Sequence, residues 1–575
     1  MKHFNLTDWA IRHRSLVTYF MIVIAIAGIG SYLRLGRSED PDFTVKTMVV
    51  KCIWPGATVG DTLEQITDRI ESKLQETPSL DYLKSYTSAG QTTIFVSLKD
   101  STRPGDVPDI WYQVRKKVGD IRSTLPQGIQ GPFFNDEFGD TFGIVYGLTA
   151  DGFTPRELRD YAVDIRKQLL QLPDISKIDI VGTQDERVYV EFSEKELSGL
   201  GIDRAALIAT LQAQNAVTPA GVVQTGDEQI LVRVSGAFRS EQEILGVNFV
   251  AKNGKIIRLG DIAHVTRGPA DPAQPVFRVN GKDGVALAIA MRAGGDVLAL
   301  GHNVDQAMRE ITANLPVGIE PVLVANQPVT VTHAVDDFME ALWEAIAIVL
   351  AVSLVAIGPR AGAVVAISIP LVLAAVFGTM MVSGIGLQRI SLGALIIALG
   401  LLVDDAMITI ETMITRLEHG DDKEQAAGFA YSSTAFPRLT GTLVTIAGFV
   451  PIGFARSAAG EYTFSIFAVV AIALLASWVV AAVFAPLLGV WMLKKPKAVH
   501  SGKPGPIMRV FRRVLDLAMR ARWVTILATL ALFGVAIYGM RFVPQQFFPA
   551  SDRPELLVDM QLPENASIYA TRDVA

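Results

Sequence analysis

Asp404 and Asp405 are adjacent carboxylates inside ISLGALIIALGLLVDDAMITIETM, residues 390–413, a segment with no other charge before Glu411. The segment reads as one apolar helix with the pair about two-thirds of the way along it. A carboxylate near the centre of a bilayer costs about 2.5–3.5 kcal/mol on insertion scales, and such groups mark ion or proton pathways. Neighbouring helical residues project about 100° apart, so the pair covers a broad arc and titrates as a coupled unit. A carboxyl that can be neutral or charged inside a membrane can carry a proton. The competing readings are a pair at the interface, a helix kinked into water, or a pair tied to a structural lysine. Glu411 follows Asp404 by seven residues on the same face, and Glu344 lies a turn or two inside an earlier apolar run. Both are near run ends, where solvation is easier and a structural role is at least as good. The apolar runs contain no lysine or arginine in their interiors, so the aspartates are expected to lack a counter-charge and the chain to be unable to transport by itself.

Other chemistry is sparse. A single cysteine, Cys52, excludes an intrachain disulfide framework and a cysteine zinc site. The seven histidines include no HxxxH pair, and GxxxxGK[ST], GxSxG, GxGxxG and HExxH do not occur. No metal, cofactor or enzyme activity is expected. With net charge −6 the chain is a poor partner for nucleic acid. Half of its 575 residues are hydrophobic, 19% are charged and mean hydropathy is +0.34, which excludes the disordered classes.

The hydrophobicity is concentrated. SLVTYFMIVIAIAGIGSYL, residues 15–33, is uncharged and long enough to span a hydrocarbon core of about 30 Å, a reading that competes with a cleaved signal peptide. Further runs cover residues 338–357, 363–383, 390–411, 439–455, 464–493 and 523–540, giving seven expected spans. Lysine and arginine gather on the cytoplasmic side of membranes, which places the N-terminus inside. The loops at Arg360 and at 412–438, and the basic linker, are then cytoplasmic. That linker carries Lys494, Lys495, Lys497, Lys503, Arg509, Arg512, Arg513, Arg520 and Arg522 against Asp516. The region from 34 to 337 and the segment from 541 then lie outside.

The soluble region alternates strand and helix patterns. TVKTMVVKCIWPG has period two, residues 58–76 have helical period, LDYLKSYTSAG and TTIFVSLKD pair about Ala89-Gly90, and residues 108–125 form a second helix. This is the order of a ferredoxin-like split βαβ unit. A second copy begins near residue 139 and resumes at GVALAIAMRAGG. Between its halves, at about 183–268, an inserted unit has its own helix, 203–214, and a hairpin near Thr225-Gly226. The expected fold is an α+β membrane protein.

These segments resemble the resistance-nodulation-division transporters, in particular the hydrophobe/amphiphile multidrug efflux branch. GLLVDDAMITIE resembles that branch's fourth-helix motif. WPGATVGDTLEQITDRIE, TSAGQTTIFVSLKDSTRPGDVPDIWYQVRKKV, AQNAVTPAG, VFRVNGKDG and FAPLLGVWML resemble its porter, docking and sixth-helix segments. The resemblance implies a transmembrane bundle, twelve spans in the full family, with ferredoxin-like periplasmic porter subdomains. It implies a first helix in 1–37, porter subdomains at 38–133 and at 134–182 with 269–330, and a docking subdomain at 183–268. Helices two to six then occupy 331–493, the basic linker 494–522, a seventh span 523–541 and the start of a third porter subdomain 542–575, so that the chain reads as an N-terminal half plus the start of the second. Asp404 and Asp405 match the proton-relay aspartates. Phe142 aligns with a pocket phenylalanine, with Val145, Val181 and Asn326 as neighbouring substrate-binding positions. The implied function is proton-driven export of hydrophobic or amphiphilic compounds by an inner-membrane homotrimer in contact with membrane lipid, joined to a periplasmic adaptor and an outer-membrane channel. The alternatives are a non-transporting scaffold or sensor and a truncated half-transporter remnant.

Overall fold

The computed structural model describes residues 5–137, 139–250, 254–494, 506–543, 556–563 and 566–575, and its chain forms two compact units. The first unit combines residues 1–140, 293–298 and 329–557, and the second combines 141–292, 299–328 and 558–575.

The first unit opens with α1 (Leu6–Arg12), capped by the Asn5 side chain, and α2 (Arg14–Arg34), the first long apolar helix. Strand β1 (Thr47–Ile53) follows, with Met48, Val50 and Cys52 buried on one face, as its period-two pattern requires. Next come α3 (Val59–Thr62) and α4 (Asp68–Leu74), continuous through a π-helical turn at Leu63–Thr67, then β2 (Leu80–Ser88), β3 (Gln91–Leu98), α5 (Val107–Asp120) and β4 (Gln130–Asn135). The sheet is antiparallel in the order β2-β3-β1-β4, and Ile66, Ile70, Trp111 and Val114 of the helices cover its apolar face.

The second unit repeats that connectivity with an insertion. Strand β5 (Phe142–Ala150), α6 (Pro155–Leu169) and β6 (Ile175–Val181) form the first half. The chain then makes β7 (Glu186–Phe192), α7 (Glu194–Leu200), α8 (Arg204–Gln214), the hairpin β8 (Val217–Gln224) and β9 (Gln229–Ser235), α9 (Glu241–Leu245), β10 (Asn248–Val250), β11 (Ile256–Arg258) and β12 (Ala263–Pro269). β12 pairs with β7, and Leu197, Leu207, Phe249 and Leu259 give this insertion its own core. Strands β13 (Phe277–Val279) and β14 (Lys282–Met291), helix α10 (Val297–Asn314) and β15 (Ile319–Asn326) complete the main sheet, ordered β6-β14-β5-β15 with β13 also on β14. Leu148, Ile165, Leu287 and Val304 fill the core between this sheet and its helices.

Long helices follow: α11 (Gln327–Ile357), α12 (Pro359–Val382), α13 (Arg389–Glu418), α14 (Lys423–Gly453), α15 (Ala458–Met492), α16 (Pro506–Arg520) and α17 (Arg522–Met540), with a short α18 (Ile568–Val574) near the C-terminus. Among the described residues, six helices, α2, α12, α13, α14, α15 and α17, are long and apolar enough to cross a membrane. The seventh expected span, 338–357, falls on α11, where the side chains at 355–356 lie outside the described residues.

One expectation is corrected. Residues 412–438 are not a loop: α13 runs on to Glu418 and α14 begins at Lys423, leaving a turn at 419–422. α14 passes through both Pro437 and Pro451. Neighbouring helices and serine or threonine side chains re-satisfy the freed backbone groups in such bundles. The basic linker is partly helical. Its residues 506–520 form α16, with Arg509, Arg512, Arg513 and Arg520 exposed, while 495–505 lie outside the described residues.

Candidate functional site

Asp405 lies 16 residues into α13 and is 9% exposed. The helices around it approach closely because their contact faces are small. Ala426, Ala427 and Ala430 of α14 pack against Met413 and Leu417 of α13, and Gly489 of α15 receives Met413 and Ile410. Hydroxyls then bond across the packed faces. Ser477 on α15 donates to the Leu402 carbonyl at 2.9 Å, and Thr409 donates to the Asp405 carbonyl at 2.9 Å and reaches the Ala481 carbonyl at 3.4 Å.

The charge facing Asp405 comes from Arg438 on α14, also 9% exposed. Its Nη1 donates to the Asp405 main-chain carbonyl at 2.5 Å and lies 3.9 Å from Oδ1. Nε donates to Thr434 O at 3.3 Å, one turn earlier on α14. This overturns the expectation that the aspartates lack a counter-charge. The argument from a missing counter-charge that the chain cannot transport by itself falls with it. Arg438 precedes the run 439–455 directly, and only the continuation of α14 upstream of Pro437 carries it into the bundle.

The other candidate carboxylates are elsewhere. Asp404 is exposed on the outer side of α13, so of the adjacent pair only Asp405 is enclosed. Glu411 and Glu344 are exposed on α13 and α11. Among the described residues no cluster of three or more His, Cys, Asp or Glu could hold a metal.

The substrate-binding candidates divide between two faces of the second unit's sheet. Val145 lies opposite Ala288 and Val181 opposite Ala286, on the face away from Leu287 and the helix core. A bulge at Ala290 turns Phe142 to that face too, where the Lys177 ammonium sits 5.5 Å from its ring centroid. Asn326 instead lies opposite Ile144, a core residue, so the sheet does not bring it to the same surface.

Missed altogether was a junction in the first unit. Ser38 N donates to Leu387 O, Leu387 N to Gly36 O and Arg389 N to Glu39 O, at 2.8–3.1 Å, fixing the segment after α2 to the start of α13. Lys46 and Glu461 meet beside it, 415 residues apart, a separation no local pattern could reveal.

An ionisable pair enclosed among membrane-length helices marks a functional site by default. The chain belongs to the AcrB/AcrD/AcrF family of transporters, which it matches over residues 6–575. It is 24% identical over 577 residues to Multidrug resistance protein MdtC of Pantoea ananatis, an alignment covering 97% of this chain and 55% of that protein. It is 25% identical over 590 residues to Protein HelA of Legionella pneumophila, covering 96% and 54%, and 23% identical over 572 residues to an uncharacterized transporter of Haemophilus influenzae, covering 98% and 55%. The chain spans about half the length of these relatives. The match runs as one stretch through residue 575, and the reading of the chain as one half plus the start of another gains no support from it.

Proposed function

We propose that this protein is a proton-driven permease that exports hydrophobic or amphiphilic compounds, with Asp405 as the buried proton carrier and Asp404 as its neighbour on the exposed side of α13. The observation that carries the reading is the enclosure of Asp405 against Arg438 within the helix bundle, an arrangement that is expensive to build into a membrane unless it is used. Membership of a transporter family and similarity to a relative titled a multidrug resistance protein support the direction of transport. On this reading the N-terminus is cytoplasmic, the bundle lies in the inner membrane and both sheets project into the periplasm. The protein assembles as a homotrimer with a periplasmic adaptor and an outer-membrane channel, and the Phe142, Val145 and Val181 face contributes to substrate binding.

The test is efflux of an amphiphilic dye, energised by a proton gradient, from cells or vesicles containing the protein. Asp405→Asn keeps the side-chain volume but cannot ionise, and it is expected to abolish gradient-dependent efflux while membrane insertion persists. Asp404→Asn is expected to do the same. The driving force is about 2.3 kcal/mol per charge per 100 mV. Efflux that survives Asp405→Asn removes the assignment of Asp405, and efflux that survives Asp404→Asn removes the part given to Asp404.

A further inference from the structure

Arg438 presents more hydrogen-bonding capacity than its surroundings use in this state. Nε and Nη1 are bonded to main-chain carbonyls, whereas Nη2 is buried with no hydrogen-bond partner. An unmatched donor on a buried guanidinium is more costly than a made bond is favourable. The acceptor within reach is the Asp405 carboxylate, whose Oδ1 stands 3.9 Å from Nη1, at the outer limit of an ion pair. A small rotation of either side chain would convert this into the two-bond fork that guanidinium and carboxylate favour.

Charged groups on the neighbouring elements are committed elsewhere or exposed. On α13, Asp404 and Glu411 are exposed, while Arg416 stacks on Phe429 and lies 3.7 Å from Asp421. On α14, Lys423 donates to Val490 O and Glu424 pairs with Arg14. On α15, Glu461 pairs with Lys46, and on α12, Arg360 is exposed.

We infer that Arg438 is the counter-charge of Asp405 and the positioning residue for its proton. The inference rests on the proton-carrier reading of Asp405. When Asp405 releases its proton, the O–H bonding electrons stay on the carboxylate, and the new negative charge is met by a guanidinium that itself remains protonated throughout. The fork closes and Nη2 is satisfied. When a proton returns, the fork opens and Arg438 falls back on the Asp405 carbonyl. The chain thereby holds both partners of its charge pair on consecutive helices, α13 and α14.

The test uses the full chain, in detergent and in vesicles, with Arg438→Gln, Asp405→Asn, the double variant and Arg438→Lys. In thermal unfolding each single neutralisation strands the partner's charge and lowers the midpoint by several degrees, and the double variant loses less than either single. Losses that simply add overturn the pairing. In gradient-driven efflux, Arg438→Gln is expected to abolish transport and Arg438→Lys to restore it, a rescue that a purely packing role would not give. Transport unchanged in Arg438→Gln overturns the positioning role. Transport that survives Asp405→Asn overturns the proton-carrier reading and the positioning role with it, and the thermal cycle still decides the pairing by itself.

Discussion

Lys46 Nζ lies 2.7 Å from Glu461 Oε1, tying the residue before β1 to the first turn of α15. The same ammonium donates to Asp100 O at 2.7 Å, and the other carboxylate oxygen accepts Thr44 N at 3.0 Å. Next along α15, the Tyr462 hydroxyl donates to Asp40 Oδ1 at 2.8 Å. The carboxylate also sits at a helix N-terminus, where the macrodipole favours negative charge. About 24 Å further along the same helix, Ser477 holds the Leu402 carbonyl one turn before Asp405, so α15 links the start of β1 to the charge pair.

Breaking this tie should destabilise the first unit. Lys46→Met leaves a poorly solvated carboxylate behind and is expected to cost about 3 kcal/mol, the lower end for removing one member of a buried pair. Lys46→Met with Glu461→Leu is expected to recover most of the loss. Thermal melts of the single and double variants in detergent check this, and equal losses in both would count against a coupled pair.

Cys52, on the buried face of β1, gives a pH prediction for the same sheet. Burial pushes its thiol up from 9.0 to about 11. The folded thiol keeps its proton in a range where the unfolded chain has lost it, so stability falls as pH rises from about 9 to about 11, by at most about 3 kcal/mol. Below pH 9 the contribution is complete and constant. Denaturant titrations between pH 8 and 11 are expected to show this decline in the native protein and a smaller one in Cys52→Ala. A native thiol that reacts readily with a maleimide at neutral pH would contradict the burial.

Gly28 on α2 allows α12 to approach to backbone distance: a Cβ there would stand 2.3 Å from Ala374 Cβ and 2.6 Å from Ala374 O. Gly28→Val is expected to separate the two helices and cost about 1–3 kcal/mol, the range for overpacking a well-packed site. Gly30, with no atom within 4 Å of its would-be Cβ, is the control, and Gly30→Val is expected to leave the thermal midpoint nearly unchanged. Equal midpoints for the two variants would argue against the packing role.

Much of the chain was legible because its signals are local. The alternation in residues 47–53 makes β1, the apolar spacing from Val59 to Leu74 makes the helical stretch above it, and Ala89-Gly90 makes the β2–β3 turn, with Gly90 at a φ of 72°. The apolar runs make helices for the same reason, and Asp404-Asp405 drew attention because charge inside such a run is unfavourable.

What the sequence by itself determined, then, is the kind of element at each position and the presence of costly carboxylates. Only the tertiary structure decided which of the two aspartates is enclosed, since adjacent helical positions differ by about 100° and the neighbours of α13 settle the choice. It also carried α14 through Pro437 and brought Arg438 to Asp405 across 33 residues of sequence. Proline at the edge of an apolar run predicts a boundary, but packing against α13 and α15 supplies the contacts that local propensity lacks. The substrate-binding candidates divide for a similar reason. The strand pattern fixes alternation along β5, while the bulges at Ala290 and at Leu323–Ala325 set which of Phe142, Val145, Val181 and Asn326 share a face, and bulges belong to the pairing between strands rather than to any one strand's sequence.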